Sequence, residues 1–274
     1  MSIATCISPV RILGIVNCTP DSFWAESRAA GAADAAARAR SMWSAGADLV
    51  DLGAVSTRPG AEPVELEEEW RRLEPVLRLL APDNAGPRPR LSIDTTRAEI
   101  IRRACDLAGP VWINDISAGE DDPEMLPLAA ARGLGYIAMH KRGRPDTMDT
   151  LCTYPEGVVH AVASYFDGFA RRAAECGLHE WILDPGFGFA KTEAQNYELL
   201  FGLEALKRFG RPILAAVADK RFTHAADRYL PPSKEDISAT ERIHEAALRS
   251  GATLLRVHDV AAAVRTVRRC TPIR

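Results

Sequence analysis

The chain lacks any surplus of positive charge, with 34 lysines and arginines set against 37 acidic residues for a formal net charge of -3. No net basic field is available to draw in nucleic acid or an anionic membrane, so neither is expected as a partner. Cysteine is sparse and scattered: Cys6, Cys18, Cys105, Cys152, Cys176 and Cys270 show no CxxC or other metal-ligand spacing. Free thiols in a reducing cytoplasm are the expectation. No run approaches the roughly 20 apolar residues that span a bilayer, and no basic segment followed by an apolar core opens the chain. Low-complexity tails and sequence repeats are also missing. The only linker-like stretch, 82–89, is short and proline-rich, and the pattern around it resumes at once, so it is expected to be a surface loop and not a domain boundary.

What is present is a rhythm. Apolar runs at 12–16, 48–53, 90–95, 111–116, 135–140, 181–184, 212–218 and 254–259 predict strands buried on both faces. Between and after them, 29–46, 64–80, 97–107, 123–132, 155–176, 193–209, 235–249 and 261–269 have helical composition and stop signals. Eight strand–helix units in unbroken alternation predict an α/β fold, a (β/α)8 TIM barrel of one domain over residues 1–274. An open sheet of eight strands is the competing architecture.

In such a barrel the residues that close the strands converge on one face, where active sites are built. Here they are Asn17, Arg58, Asp94, Asn114, His140, Asp184, Lys220, Arg256 and His258. Any one of them alone reads as a turn former or helix cap. Asp94, Asn114, Asp184 and Lys220 together offer acceptors, an amide and a cation, suited to a flat heterocycle with several N–H donors and a carbonyl; a ligand-free buried ion-pair network is the alternative. Asn17, Arg256 and His258 would meet where the first and eighth strands adjoin and form a phosphate or pyrophosphate site, unless Arg256 and His258 merely cap the last helix. Mg²⁺ held through that ligand's phosphates would need only one or two protein oxygens, and Asn17 is the candidate metal ligand.

The motifs Asn17-Cys18-Thr19-Pro20-Asp21-Ser22-Phe23, Ser56-Thr57-Arg58-Pro59-Gly60, Asp94-Thr95, Asn114-Asp115, Met139-His140, Asp184-Pro185-Gly186-Phe187-Gly188-Phe189 with Lys191, and Arg256-Val257-His258-Asp259 resemble dihydropteroate synthase, in the right order over nearly the whole chain. The resemblance implies a folate-synthesis transferase that joins 6-hydroxymethyl-7,8-dihydropterin diphosphate to 4-aminobenzoate and releases pyrophosphate, with Mg²⁺ and as a homodimer. It implies that Asp94, Asn114, Met139, Asp184 and Lys220 bind the pterin, and that Asn17, Arg58, Arg256 and His258 bind pyrophosphate. Phe23, Thr57, Arg58, Pro59, Phe189 and Arg221 are implied on the acceptor side, with the loops after the first two strands closing over it. Asp94, Lys220 and Arg256 are the implied catalytic residues.

Two stretches depart from that family's pattern. Ala218-Asp219-Lys220-Arg221 stands where Ser-Arg-Lys-Ser is usual, and Trp24-Ala25-Glu26-Ser27 where Ser-Asp-Gly-Gly is common. Both fall on the acceptor side and point to altered acceptor preference or sulfonamide sensitivity. The alternative is a pterin-binding relative without synthase activity. A folate-dependent methyltransferase is disfavoured, because it has no leaving pyrophosphate for Asn17, Arg256 and His258 to bind.

Overall fold

The computed structural model describes residues 10–18, 28–55, 64–86, 90–143, 147–218, 220–233 and 237–270. Its strands are β1 (Arg11–Asn17), β2 (Leu49–Gly53), β3 (Leu91–Asp94), β4 (Trp112–Asp115), β5 (Tyr136–Met139), β6 (Trp181–Asp184), β7 (Leu214–Ala215) and β8 (Leu254–Val257). The helices are α1 (Arg28–Ala45), α2 (Leu66–Asn84), α3 (Ala98–Ala108), α4 (Met125–Arg132), α5 (Val158–Cys176), α6 (Glu193–Phe201), α7 (Ala226–Tyr229), α8 (Ala239–Ser250) and α9 (Val260–Cys270).

The strands lie side by side in the order β6-β5-β4-β3-β2-β1-β8-β7, and every named pair is parallel. Leu183 of β6 bridges to Ile213 just before β7, with the Leu183 N–H 3.0 Å from the Pro212 carbonyl. That contact brings the two edges of the sheet together, so the architecture is a nearly closed (β/α)8 barrel and not an open sheet.

Side-chain alternation sorts the strands into two packing environments. Ile12, Val16, Val50, Leu52, Leu91, Ile93, Ile113, Ala138, Leu183, Leu255 and Val257 belong to the core shared with the helices. Leu13, Leu49, Trp112, Ile137, Ile182, Leu214 and Leu254 form a separate apolar cluster inside the barrel. Two residues further along β2, β4, β5, β6 and β8, the same inward direction carries Asp51, Asn114, Met139, Asp184 and Arg256. The barrel is thus greasy at its base and polar toward its C-terminal mouth. Gly14 faces outward, where a Cβ would lie 2.7 Å from Met42 Sδ, so glycine lets α1 press against β1.

Some expected boundaries move. The helix predicted over 64–80 continues through Pro82 to Asn84, inside the stretch expected to be a loop. Asn84 stitches this region: its Nδ2 donates to the Ala108 and Pro110 carbonyls, and its Oδ1 accepts from the Arg90 and Leu91 N–H groups. The helix expected over 193–209 breaks at Gly202 into α6 and a 3₁₀ turn, Leu203–Phe209. A Cβ at Gly202 would meet Val159 Cγ2 at 2.5 Å, so the break falls where Val159 of α5 packs against the chain. The expected strand 212–218 shrinks to Leu214–Ala215. A 3₁₀ turn, Arg221–Ala225, and α7 precede α8, whose N-terminus is fixed by a Ser238–Glu241 capping box.

Candidate active site at the barrel mouth

Strand register sets the mouth. Asn17 pairs with Gly53, Gly53 with Asp94 and Asp94 with Asn114, so four strand ends share one level across β1 to β4. Met139 pairs with Asp184 on the far side. Arg256 starts lower, opposite Leu13, but its long side chain climbs inside the barrel. Its Nε lies 2.8 Å from Asp51 Oδ2, and its Nη2 lies 2.7 Å from both Asp51 Oδ2 and Asp94 Oδ2. Asn114 Nδ2 donates to the same Asp51 oxygen at 2.8 Å. Asp51 is fully buried, and sequence reasoning passed over it as a strand residue. The available signal was a lone carboxylate inside the apolar run Leu49-Val50-Asp51-Leu52.

These distances settle the local electrostatics. A buried guanidinium is tolerable only when paired, and Arg256 is held between two carboxylates that keep its pKa above the ordinary arginine range despite burial. Burial pushes the Asp94 carboxyl up to about 7, with Arg256 pulling it down and Asp51 adding to the rise. Asp184 is raised by burial as well, with the Gly186 N–H and Lys220 opposing. Two acids against one arginine leave the centre of the mouth acceptor-rich, a setting that favours a ligand edge bearing N–H donors.

The loop after β6 is locked from behind. Asp184 Oδ1 accepts the Gly186 N–H at 2.8 Å, and Gly186 has φ +70 with its would-be Cβ 2.0 Å from the His140 carbonyl oxygen. Glycine is therefore obligatory there. Lys191 is buried, and its Nζ reaches His140 Nδ1 at 3.0 Å, the Gly186 carbonyl at 2.9 Å and the Phe189 carbonyl at 3.1 Å. Three acceptors match the three N–H bonds of an ammonium. Burial nevertheless lowers its pKa to about 7, with Asp184 pulling the other way. Asn196 adds a second brace, accepting the Gly188 N–H and donating to the Lys191 and Thr192 carbonyls. Neither Lys191 nor Asn196 was assigned a role from sequence.

The braced loop presents Phe189, which packs with Met139, Met148 and Ala190 and against Ile116. Lys220 Nζ lies 4.5 Å from the Phe189 ring centroid, a cation–π contact. The structure thus brings Asp94, Asn114 and Arg256 together, and Met139, Phe189 and Lys220 beside Asp184. His140 does not join them. It is buried behind the loop with its ring edge-on to Tyr165, and burial and Lys191 push its pKa down to about 2, so it is a neutral acceptor. Its expected place among the mouth residues is therefore corrected.

Asn17 and His258 are exposed at the ends of β1 and β8, and Arg221 is exposed at the start of its 3₁₀ turn. Phe23, Thr57, Arg58 and Pro59 lie outside the described residues, as do 24–27 and Asp219. Among the described residues no cluster of three or more His, Cys, Asp or Glu side chains could hold a metal, and no helix is long and apolar enough to cross a membrane.

Residues 13–258, which span the nearly closed barrel and its arginine-centred mouth, match a family model described as pterin binding enzyme. Within it, the chain belongs to the dihydropteroate synthase family of transferases. A dihydropteroate synthase of Synechocystis sp. is 40% identical over 254 residues, covering 92% of this chain and 86% of its own length. That of Escherichia coli is 34% identical over 264 residues, covering 96% and 91%. The solved structure of Xanthomonas albilineans dihydropteroate synthase with 4-aminobenzoic acid superposes with a TM-score of 0.82 at 36% identity, covering 96% of this chain and 92% of that one. The structure of the same enzyme in complex with 7,8-dihydropteroate gives 0.79 at 33% identity, with coverage of 96% and 92%.

Proposed function

We propose that the chain, acting as one pterin-binding barrel over residues 1–274, condenses 6-hydroxymethyl-7,8-dihydropterin diphosphate with 4-aminobenzoate to give 7,8-dihydropteroate and pyrophosphate. The observation that carries this reading is the Asp51–Arg256–Asp94 ion-pair set with Asn114 hydrogen-bonded into it. It is an acceptor-rich pocket floor matched to the donor-rich edge of a pterin. Asp94, Asn114, Met139, Asp184 and Lys220 hold the ring, and Asp94 offsets positive character on it as the bond from the methylene carbon to the diphosphate oxygen breaks. Pyrophosphate leaves with that electron pair and is received by Arg58, Arg256 and His258. The arylamine nitrogen then bonds to the methylene carbon and loses a proton. Phe23, Thr57, Arg58, Pro59, Phe189 and Arg221 line the acceptor side. No covalent nucleophile is needed, and positioning supplies most of the rate.

Mg²⁺ would be held through one protein oxygen: Asn17 is exposed at the end of β1 and would supply its carboxamide, and phosphate and water would supply the other ligands. When bound, it neutralises charge on the diphosphate. Cys18, Cys105, Cys176 and Cys270, which form no disulfide, favour a cytoplasmic enzyme, and a homodimer belongs to the same reading.

Arg221 favours a second reading, altered acceptor use or loss of the synthase step, because an exposed arginine opens the turn after Lys220 where a small hydroxyl is usual. The test is pyrophosphate release from the dihydropterin diphosphate with Mg²⁺, assayed against 4-aminobenzoate and a panel of other arylamines. Turnover with 4-aminobenzoate supports the synthase. Pterin binding without condensation to any arylamine supports the inactive relative.

A further inference from the structure

Asp51 does work that no mouth residue can do for itself. Its Oδ2 is the point where two mouth side chains converge, Arg256 through Nε at 2.8 Å and Nη2 at 2.7 Å, and Asn114 through Nδ2 at 2.8 Å. Asp51 is fully buried and lies two residues before the mouth level on β2, so it acts on a ligand only through these partners.

The contact with Asn114 fixes a chemical polarity. A buried carboxylate oxygen at that distance accepts only a donor, so the Asn114 NH₂ group must point down to Asp51. Reversing the amide would set two oxygens against each other with no hydrogen between them. Asn114 Oδ1 is then turned away from Asp51 and accepts from no described residue. Arg256 is treated the same way. With Nε and Nη2 committed to Asp51 and Asp94, its plane is fixed and Nη1 bonds to no described residue. Asp51 Oδ1 is buried without a partner, a desolvation cost that a purely structural ion pair would avoid.

We propose that Asp51 is a positioning residue that sets the donor–acceptor polarity of the pterin pocket, forcing Asn114 to act as an acceptor and Arg256 to present a fixed face. The inference rests on the synthase reading. It extends that reading by naming the residue that makes the pocket select N–H donors.

The test titrates 6-hydroxymethyl-7,8-dihydropterin diphosphate into the purified chain by calorimetry, without 4-aminobenzoate, and follows turnover separately. Wild type must bind first; if it does not, the pterin reading itself fails. Given that binding, Asp51→Leu should weaken it by at least about tenfold while the KM for 4-aminobenzoate changes little, and Asp51→Asn, whose amide oxygen can take the place of Oδ2, should weaken it less. Asn114→Asp alone should be worse, because two carboxylates would then face each other. Binding by Asp51→Leu equal to wild type, or by Asp51→Asn weaker than by Asp51→Leu, would overturn the proposal. Should the variants not fold, a crystal structure of wild type with the pterin bound decides: Asn114 Oδ1 facing the ring supports it, and contact through Nδ2 alone overturns it.

Discussion

Arg256 Nη2 stands 2.7 Å from Asp94 Oδ2, tying the last strand of the barrel to the third through its interior. Each group needs the other, since removing the carboxylate leaves a buried guanidinium under-compensated. Asp94→Asn is therefore expected to lower kcat/KM for the pterin substrate by roughly a hundredfold or more, about 3 kcal/mol in transition-state binding. Steady-state kinetics with each substrate varied in turn would check this. Because the Asp94 pKa is raised to about 7, its ionised fraction grows through neutrality, and kcat/KM should fall as pH drops below that value. Stability of the free protein runs the other way. A carboxyl whose folded-state pKa stands above the unfolded one contributes most below pH 4 and loses that contribution as pH rises through about 7.

Lys191→Met should damage the site from behind. It leaves His140 Nδ1 and the Gly186 and Phe189 carbonyls without their common donor. A loss of roughly 3–5 kcal/mol in urea unfolding is expected for breaking such a buried set. The pterin KM should rise as well, because Phe189 is no longer held.

His244 provides a pH test far from the mouth. It is buried on α8, its Nε2 has no partner, and burial pushes its pKa down to about 4. The unfolded chain takes up a proton below about 6.5 that the folded chain refuses until about 4, so stability is lost as pH falls through that window. His244→Leu should remove about 3 kcal/mol of this acid sensitivity. The fall in urea midpoint between pH 7 and pH 4.5 should be smaller in the variant than in wild type.

Arg221→Ser is expected to act on the second substrate alone. The KM for 4-aminobenzoate and inhibition by a sulfonamide should shift together by about tenfold, while pterin binding stays within about twofold. No change in either would show that the turn after Lys220 lies outside the acceptor site.

The barrel was legible because it is written in periodicity: eight apolar runs alternating with eight helical stretches need no tertiary information. Asp94, Asn114, Asp184 and Arg256 were legible for a related reason, as polar residues placed where buried strands stop. Asp51 was not, because it lies one layer below the strand end and its importance comes from Arg256, 205 positions away in the chain. His140 misled by position: it closes a strand, yet the loop after β6 covers it and turns it into a brace for Lys191. The break at Gly202 and the extension of α2 through Pro82 depend on neighbouring helices and on Asn84, and local composition does not encode these.

The most direct test of the central claim is a product balance: purified chain, dihydropterin diphosphate, Mg²⁺ and 4-aminobenzoate, with pyrophosphate and dihydropteroate quantified over the same time course. The account predicts that both appear in equal amounts and that with Asp94→Asn both form more slowly, by roughly a hundredfold or more at low pterin concentration. Pterin binding without either product, with 4-aminobenzoate present at saturation, would contradict it.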